Sequence, residues 1–125
     1  LLKNAIDNAK ENLEIADTIN KMHLINQDSI EFLKNTNGYF DVVYIDPMFP
    51  KSKKSRLVKK DMQIFREIVG DDLDSSELLN LSLKRNTKRI VVKRMMGSEY
   101  INNLKPNFEI KGTTTRFDVY TPANK

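Results

Sequence analysis

Asp46, Pro47, Met48, Phe49 and Pro50 form the stretch of this chain most suited to chemistry. Proline fixes its own φ and drives the residue before it out of the α region, so Asp46 and Phe49 are both expected to be extended. A stiff loop of this kind can take a flat ring system against Phe49 while the Asp46 carboxylate accepts a hydrogen bond from an amine on that ring. The plainer alternative is an acid that ends a strand as a turn or cap, with Phe49 in the core. Asp28 and Ser29 follow an earlier apolar run and form a second polar pair; an N-cap there is worth about 1 kcal/mol. A third group is the basic run Lys51, Lys53, Lys54, Arg56, Lys59 and Lys60, six cations with no acid between them. Cations so placed suit phosphates, although a solvated helix face is the ordinary fate of a charge run.

These groups need elements to hold them. Val42 to Ile45 is a short β-branched and aromatic run bounded by Asp41 and Asp46, which reads as a buried strand of a parallel sheet. Its carboxyl end is where open α/β sheets place their ligands. Upstream, Leu2, Ile6, Ala9, Leu13 and Ala16 recur at helical spacing, which predicts one helix from Leu1 to about Ala16. Met22 to Ile25 is expected to be a strand, and Asp28 or Ser29 to cap a helix from Ile30 to about Asn35. Downstream, Leu57 to Val69 has helical spacing closed by Gly70, and Asp74 or Ser75 is expected to cap a helix from Ser76 to about Lys84. Arg89 to Lys93 reads as a strand, Met95 to Leu104 as irregular or a short helix, and Phe108 to Lys111 and Arg116 to Tyr120 as two closing strands. Alternating α and β elements imply a mostly parallel sheet with helices on both faces and an antiparallel edge strand.

The loop is similar to the Asp/Asn-Pro-Pro-Tyr/Phe loop of methyltransferases that modify exocyclic base nitrogens, with Met48 in place of the second proline. The wider set resembles the RsmJ family more specifically. That set comprises the run from Asp41 to Asp74, Thr87-Lys88-Arg89-Ile90-Val91-Val92-Lys93-Arg94, and Arg116-Phe117-Asp118-Val119-Tyr120. The resemblance implies a Rossmann-like class I methyltransferase fold and transfer of a methyl group from S-adenosylmethionine to a guanine amine (N2) in small-subunit ribosomal RNA. It implies catalytic roles for Asp46, Pro47, Met48 and Phe49, and cofactor contacts from Asp28, Ser29 and Asp46. Phe49 would stack on the base, a contact worth roughly 1–3 kcal/mol. Lys53, Lys54, Arg56 and Lys93 would contact RNA. The family's first strands and glycine-rich turn have no counterpart among the 4 glycines here, so the chain is expected to be one partial methyltransferase domain over residues 1–125.

Composition narrows the field further. The 125 residues predict one domain, and no run of about 18 apolar residues exists to span a bilayer. Zero cysteines exclude disulfides and thiolate metal sites and fit a reducing cytoplasm. His23 stands alone, so no metal site is expected. The plain readings of Arg116, Phe117 and Asp118 are core packing for Phe117 and an ion pair for Arg116 or Asp118. Two other functions compete. A nucleotide hydrolase with Val42 to Asp46 as a Walker-B-like strand would need a glycine-rich phosphate loop, which the chain lacks. A non-catalytic RNA-binding module with a methyltransferase-like fold is the other.

Overall fold

The structure, a computed structural model, describes residues 1–47 and 71–122. The expected Leu57–Val69 helix lies outside them. Strands β1 (Val42–Ile45), β2 (Arg89–Met95), β3 (Phe108–Lys111) and β4 (Thr115–Tyr120) form a sheet in the order β1-β2-β4-β3. β1 runs parallel to β2, while β4 is antiparallel to both β2 and β3. The β1 and β3 segments have the bounds that their apolar runs indicated. The result is a mixed α/β sheet whose one parallel pair brings the end of β1 beside the end of β2.

Register decides which side chains share a face. Val43 lies opposite Ile90 and Ile45 opposite Val92, while Ile90 and Val92 lie opposite Tyr120 and Asp118. Because successive strand residues alternate between faces, these six point one way. Helix α4 (Asp71–Lys84) covers that face. Leu79 of α4 is fully buried in a core with Ile45, Ile90, Val92, Ile101 and Tyr120, and Leu78, Leu83 and Val43 pack against it. Burial of this kind is worth about 1.5–3 kcal/mol for each large apolar side chain. α4 starts several residues ahead of the expected cap, so Asp74 and Ser75 lie inside the helix; Ser75 is buried there.

Two upstream expectations fail. The single N-terminal helix is two, α1 (Leu2–Lys10) and α2 (Ala16–Ile19), and neither buries a residue. Between them, the Asn12 Oδ1 accepts the Glu14 N–H at 3.0 Å, and such a side-chain bond competes with helix continuation. Met22 to Ile25 forms no strand. It has the right residue types, but strand geometry is stabilised by a ladder partner, and none of the described residues pairs with it.

Helix α3 (Ser29–Asn35) begins where its capping signal placed it: the Asp28 Oδ1 accepts the N–H groups of Ile30 and Glu31 at 3.0 and 3.1 Å. Arg85, at the end of α4, then ties α3 to the approach to β1. Its guanidinium donates to the carbonyls of Leu33 at 2.9 Å and Gly38 at 2.6 Å, and lies 5.7 Å from the centre of the Phe40 ring. The buried Thr87 hydroxyl donates to the Phe40 carbonyl at 2.6 Å. These bonds satisfy backbone groups that would otherwise be left unpaired next to the core. Tyr100 leads into a 3₁₀ turn, Ile101–Asn103, that packs against α4. It supplies the short helix left open between Met95 and Leu104.

Candidate active site

The carboxyl end of β1 carries Asp46 and Pro47 out of the sheet. Ser29, at the start of α3, reaches the same place, and Ser29, Asp46 and Pro47 all line one cavity of about 300 Å³. Phe32 and Phe40 contribute apolar walls, with Tyr44 on the strand side. A flat heterocycle fits the aromatic part of such a cavity, with a hydroxyl and a carboxylate at its margin for polar contacts. Two of the proposed cofactor residues, Ser29 and Asp46, are therefore brought together by α3 and β1. Asp28 differs: it caps α3, and it is not on the cavity wall.

Parallel pairing sets the second feature. Ile45 lies opposite Val92, so the next residues along each strand, Asp46 and Lys93, are neighbours. The Lys93 ammonium stands 3.5 Å from the Asp46 Oδ2, with both side chains about half-exposed. Lys93, expected to meet RNA, is thus placed in contact with the expected catalytic acid. Met48, Phe49, Lys53, Lys54 and Arg56 lie outside the described residues.

Further along β2 and β4 the inward-facing positions become charged. Arg94 and Arg116 lie directly opposite each other, which like-charge repulsion disfavours unless acids compensate. Asp118 supplies one, accepting from the Arg116 Nε at 2.6 Å and from a terminal nitrogen at 3.1 Å. Both side chains are nearly buried, at 7% and 1% exposed. Glu109 adds a second acid 3.7 Å from the Arg116 Nε and accepts the Tyr100 hydroxyl at 2.6 Å. That hydrogen bond holds the Glu109 carboxyl below its ordinary range and pushes the Tyr100 phenol up. The carboxylate of Asp118 likewise raises Arg116. Tyr120, buried beside Asp118, is pushed up to about 12, mainly by burial, and stays a neutral hydroxyl donating to the Leu104 carbonyl at 2.9 Å.

Phe117, expected in the core, lies half-buried against Tyr44 on the other face of the sheet. The sequence reading expected an ion pair for Arg116 or Asp118 without joining the two, and missed Tyr100 and Glu109. It also missed Arg85 and Thr87, which set α3 against β1. Nothing in local spacing marks these four, because each acts across more than eight residues of chain.

A parallel strand ending in a carboxylate, a helix start on the same cavity and a closing antiparallel pair are the parts on which the sequence reading placed a methyltransferase site. The SAM-dependent methyltransferase family model matches residues 1–122, and the chain belongs to that family. Among curated relatives, ribosomal RNA small subunit methyltransferase J of Thioalkalivibrio sulfidiphilus is 42% identical over 122 residues, covering 96% of this chain and 48% of that protein. The protein of the same name from Haemophilus influenzae is 40% identical over 126 residues, covering 100% of this chain and 49% of its own length. A crystal structure of a SAM-dependent methyltransferase from Neisseria gonorrhoeae superposes with a TM-score of 0.73 at 32% identity, over 100% of this chain and 51% of that one. The chain thus spans about half the length of the relatives it matches. The match also takes in the N-terminal helices, where the residues by themselves showed only helical spacing.

Proposed function

We propose that the protein carrying this chain transfers a methyl group from S-adenosylmethionine to the exocyclic amine (N2) of a guanine in small-subunit ribosomal RNA. The observation that carries the reading is the placement of Asp46 on the same cavity as Ser29, at the carboxyl end of β1. The names of the curated relatives support ribosomal RNA as the substrate class. In this reading Ser29 and the apolar walls hold the adenine end of the cofactor, and the Asp28 carboxylate stays on α3 as its cap. The cofactor supplies an electrophilic methyl group when bound.

A guanine amine is a poor nucleophile because its lone pair is delocalised into the ring. Asp46 accepts a hydrogen bond from that amine and so favours positive charge on nitrogen as the N–C bond forms and the methyl–sulfur bond breaks, after which the surplus N–H proton passes to solvent. Holding the amine in line is the larger contribution, with electrostatic help to the developing charge second. Pro47 keeps the carboxylate extended toward the base, Phe49 provides the stacking face beside Met48, and Lys53, Lys54 and Arg56 take the RNA phosphates. The protein works in the cytoplasm, and residues 1–125 belong to one methyltransferase domain.

The test is transfer of labelled methyl from S-adenosylmethionine to small-subunit particles lacking modification. The 125-residue chain is run beside one extended to the length of the relatives, each with and without Asp46→Ala. Transfer that vanishes in Asp46→Ala, with methyl mapped to guanine N2, supports the reading. RNA binding without transfer in either length points to the binding module, and turnover that survives Asp46→Ala removes the acid from its role.

A further inference from the structure

Within the reading just given, on which this rests, Lys93 has a different task from the phosphate cations. We infer that Lys93 is a positioning residue for the acid: its ammonium holds the Asp46 Oδ2 and leaves Oδ1 to accept from the guanine amine. Three observations lead there. The parallel register that pairs Ile45 with Val92 delivers Asp46 and Lys93 side by side from two different strands. The ammonium stands 3.5 Å from Oδ2, the one described contact of the Asp46 carboxylate. β2 is tied to both neighbours, with residues Ile90 to Met95 all paired to β4, so the lysine stem rises from a fixed strand.

A carboxylate at the start of a loop, half-exposed, is otherwise free to rotate between rotamers. An ion pair in water is a weak stabiliser of the fold. It can nevertheless select one orientation, and orientation is what an in-line transfer depends on. The charge balance fits as well. The Lys93–Asp46 pair is neutral, so the incoming cationic cofactor meets no net positive charge from it.

The experiment uses the extended protein with small-subunit particles and compares Lys93→Met, Lys93→Arg and Lys93→Gln for kcat, KM and RNA affinity over a range of salt. For a positioning lysine, kcat falls about tenfold in Lys93→Met and Lys93→Gln and returns within about threefold in Lys93→Arg. RNA affinity and its salt slope stay unchanged, and adding Lys93→Met to Asp46→Asn lowers kcat no further. A phosphate-binding lysine gives the opposite split, with kcat preserved, RNA affinity lowered and the salt slope flattened by about 0.9. That result overturns the proposal, as does additive loss in the double variant. Turnover that survives Asp46→Ala, run in parallel, breaks the underlying reading of the acid, whereas loss there with full kcat in Lys93→Met breaks this inference alone.

Discussion

The two faces of the sheet are built from nearly the same residue types and meet opposite fates. Toward α4, Val43, Ile45, Ile90 and Val92 join the core with Leu79 and Tyr120. On the other face, Val42 and Tyr44 of β1 are each 54% exposed, and Phe108 and Ile110 of β3 are 43% and 56% exposed. Tyr44 meets Phe117 across that face, with ring centres 6.5 Å apart, and Val119 is buried among its cross-strand neighbours. None of the described helices lies over them. The difference teaches that an apolar pattern states what a strand can bury, while a covering element decides what it does bury. Val42 to Ile45 is apolar on both sides, as a strand covered on both faces would be.

The contrast can be tested by mutation, and the largest effect should come from the charged end of the covered face. Asp118→Ala leaves the Arg116 guanidinium nearly buried without its bidentate partner, and should cost about 3–5 kcal/mol in denaturant unfolding. Leu79→Ala should follow at about 2–5 kcal/mol, since a fully buried side chain is replaced by a cavity. Substitutions on the open face should be far milder: Val42→Thr and Ile110→Thr keep β-branching and should each stay within about 0.5 kcal/mol. A loss above about 1 kcal/mol at either position would mean that this face is covered in solution, and the comparison would fail.

The smallest effect is a pH dependence at the rim. The Tyr100 hydroxyl holds the Glu109 carboxyl below its ordinary value, so the unfolded chain binds more protons there than the folded one. The stability it gives is present above the unfolded value of about 4.3 and is lost as pH falls through the lower folded value. Glu109→Gln should therefore flatten the fall of the melting temperature below about pH 4.5 and lower it slightly at neutral pH, where the contribution is fully present. An identical acid limb in the variant would remove Glu109 from the account.

Much of the site could be read from local pattern because its residues act locally. Asp28 caps the helix that starts at the next residue, and the β-branched run Val42 to Ile45 is a strand that ends at Asp46. An ion pair for Arg116 or Asp118 was expected; that they pair with each other follows from strand alternation, which puts them on one face. Where the sequence misled, the deciding terms were a missing ladder partner among the described residues in one case and a local side-chain bond at Asn12 in the other. Met22 to Ile25 has strand composition without a ladder partner, and the N-terminal apolar spacing gives two short helices with nothing buried beneath them.

What the sequence determined alone was the type of the described elements from α3 onward, the acid at the end of a strand and the family resemblance that the comparisons then established. Those signals depend on backbone propensity, proline geometry and residue order, all of which are set within a few positions. The tertiary structure decided the rest. Arg85 reaches Leu33 and Gly38 from the end of α4, Tyr100 meets Glu109 across a turn, and parallel pairing sets Lys93 against Asp46. The first two follow from how α4 and the turn after β2 pack, and the last from sheet register, which is fixed by which faces can be buried together, a property of the assembled chain.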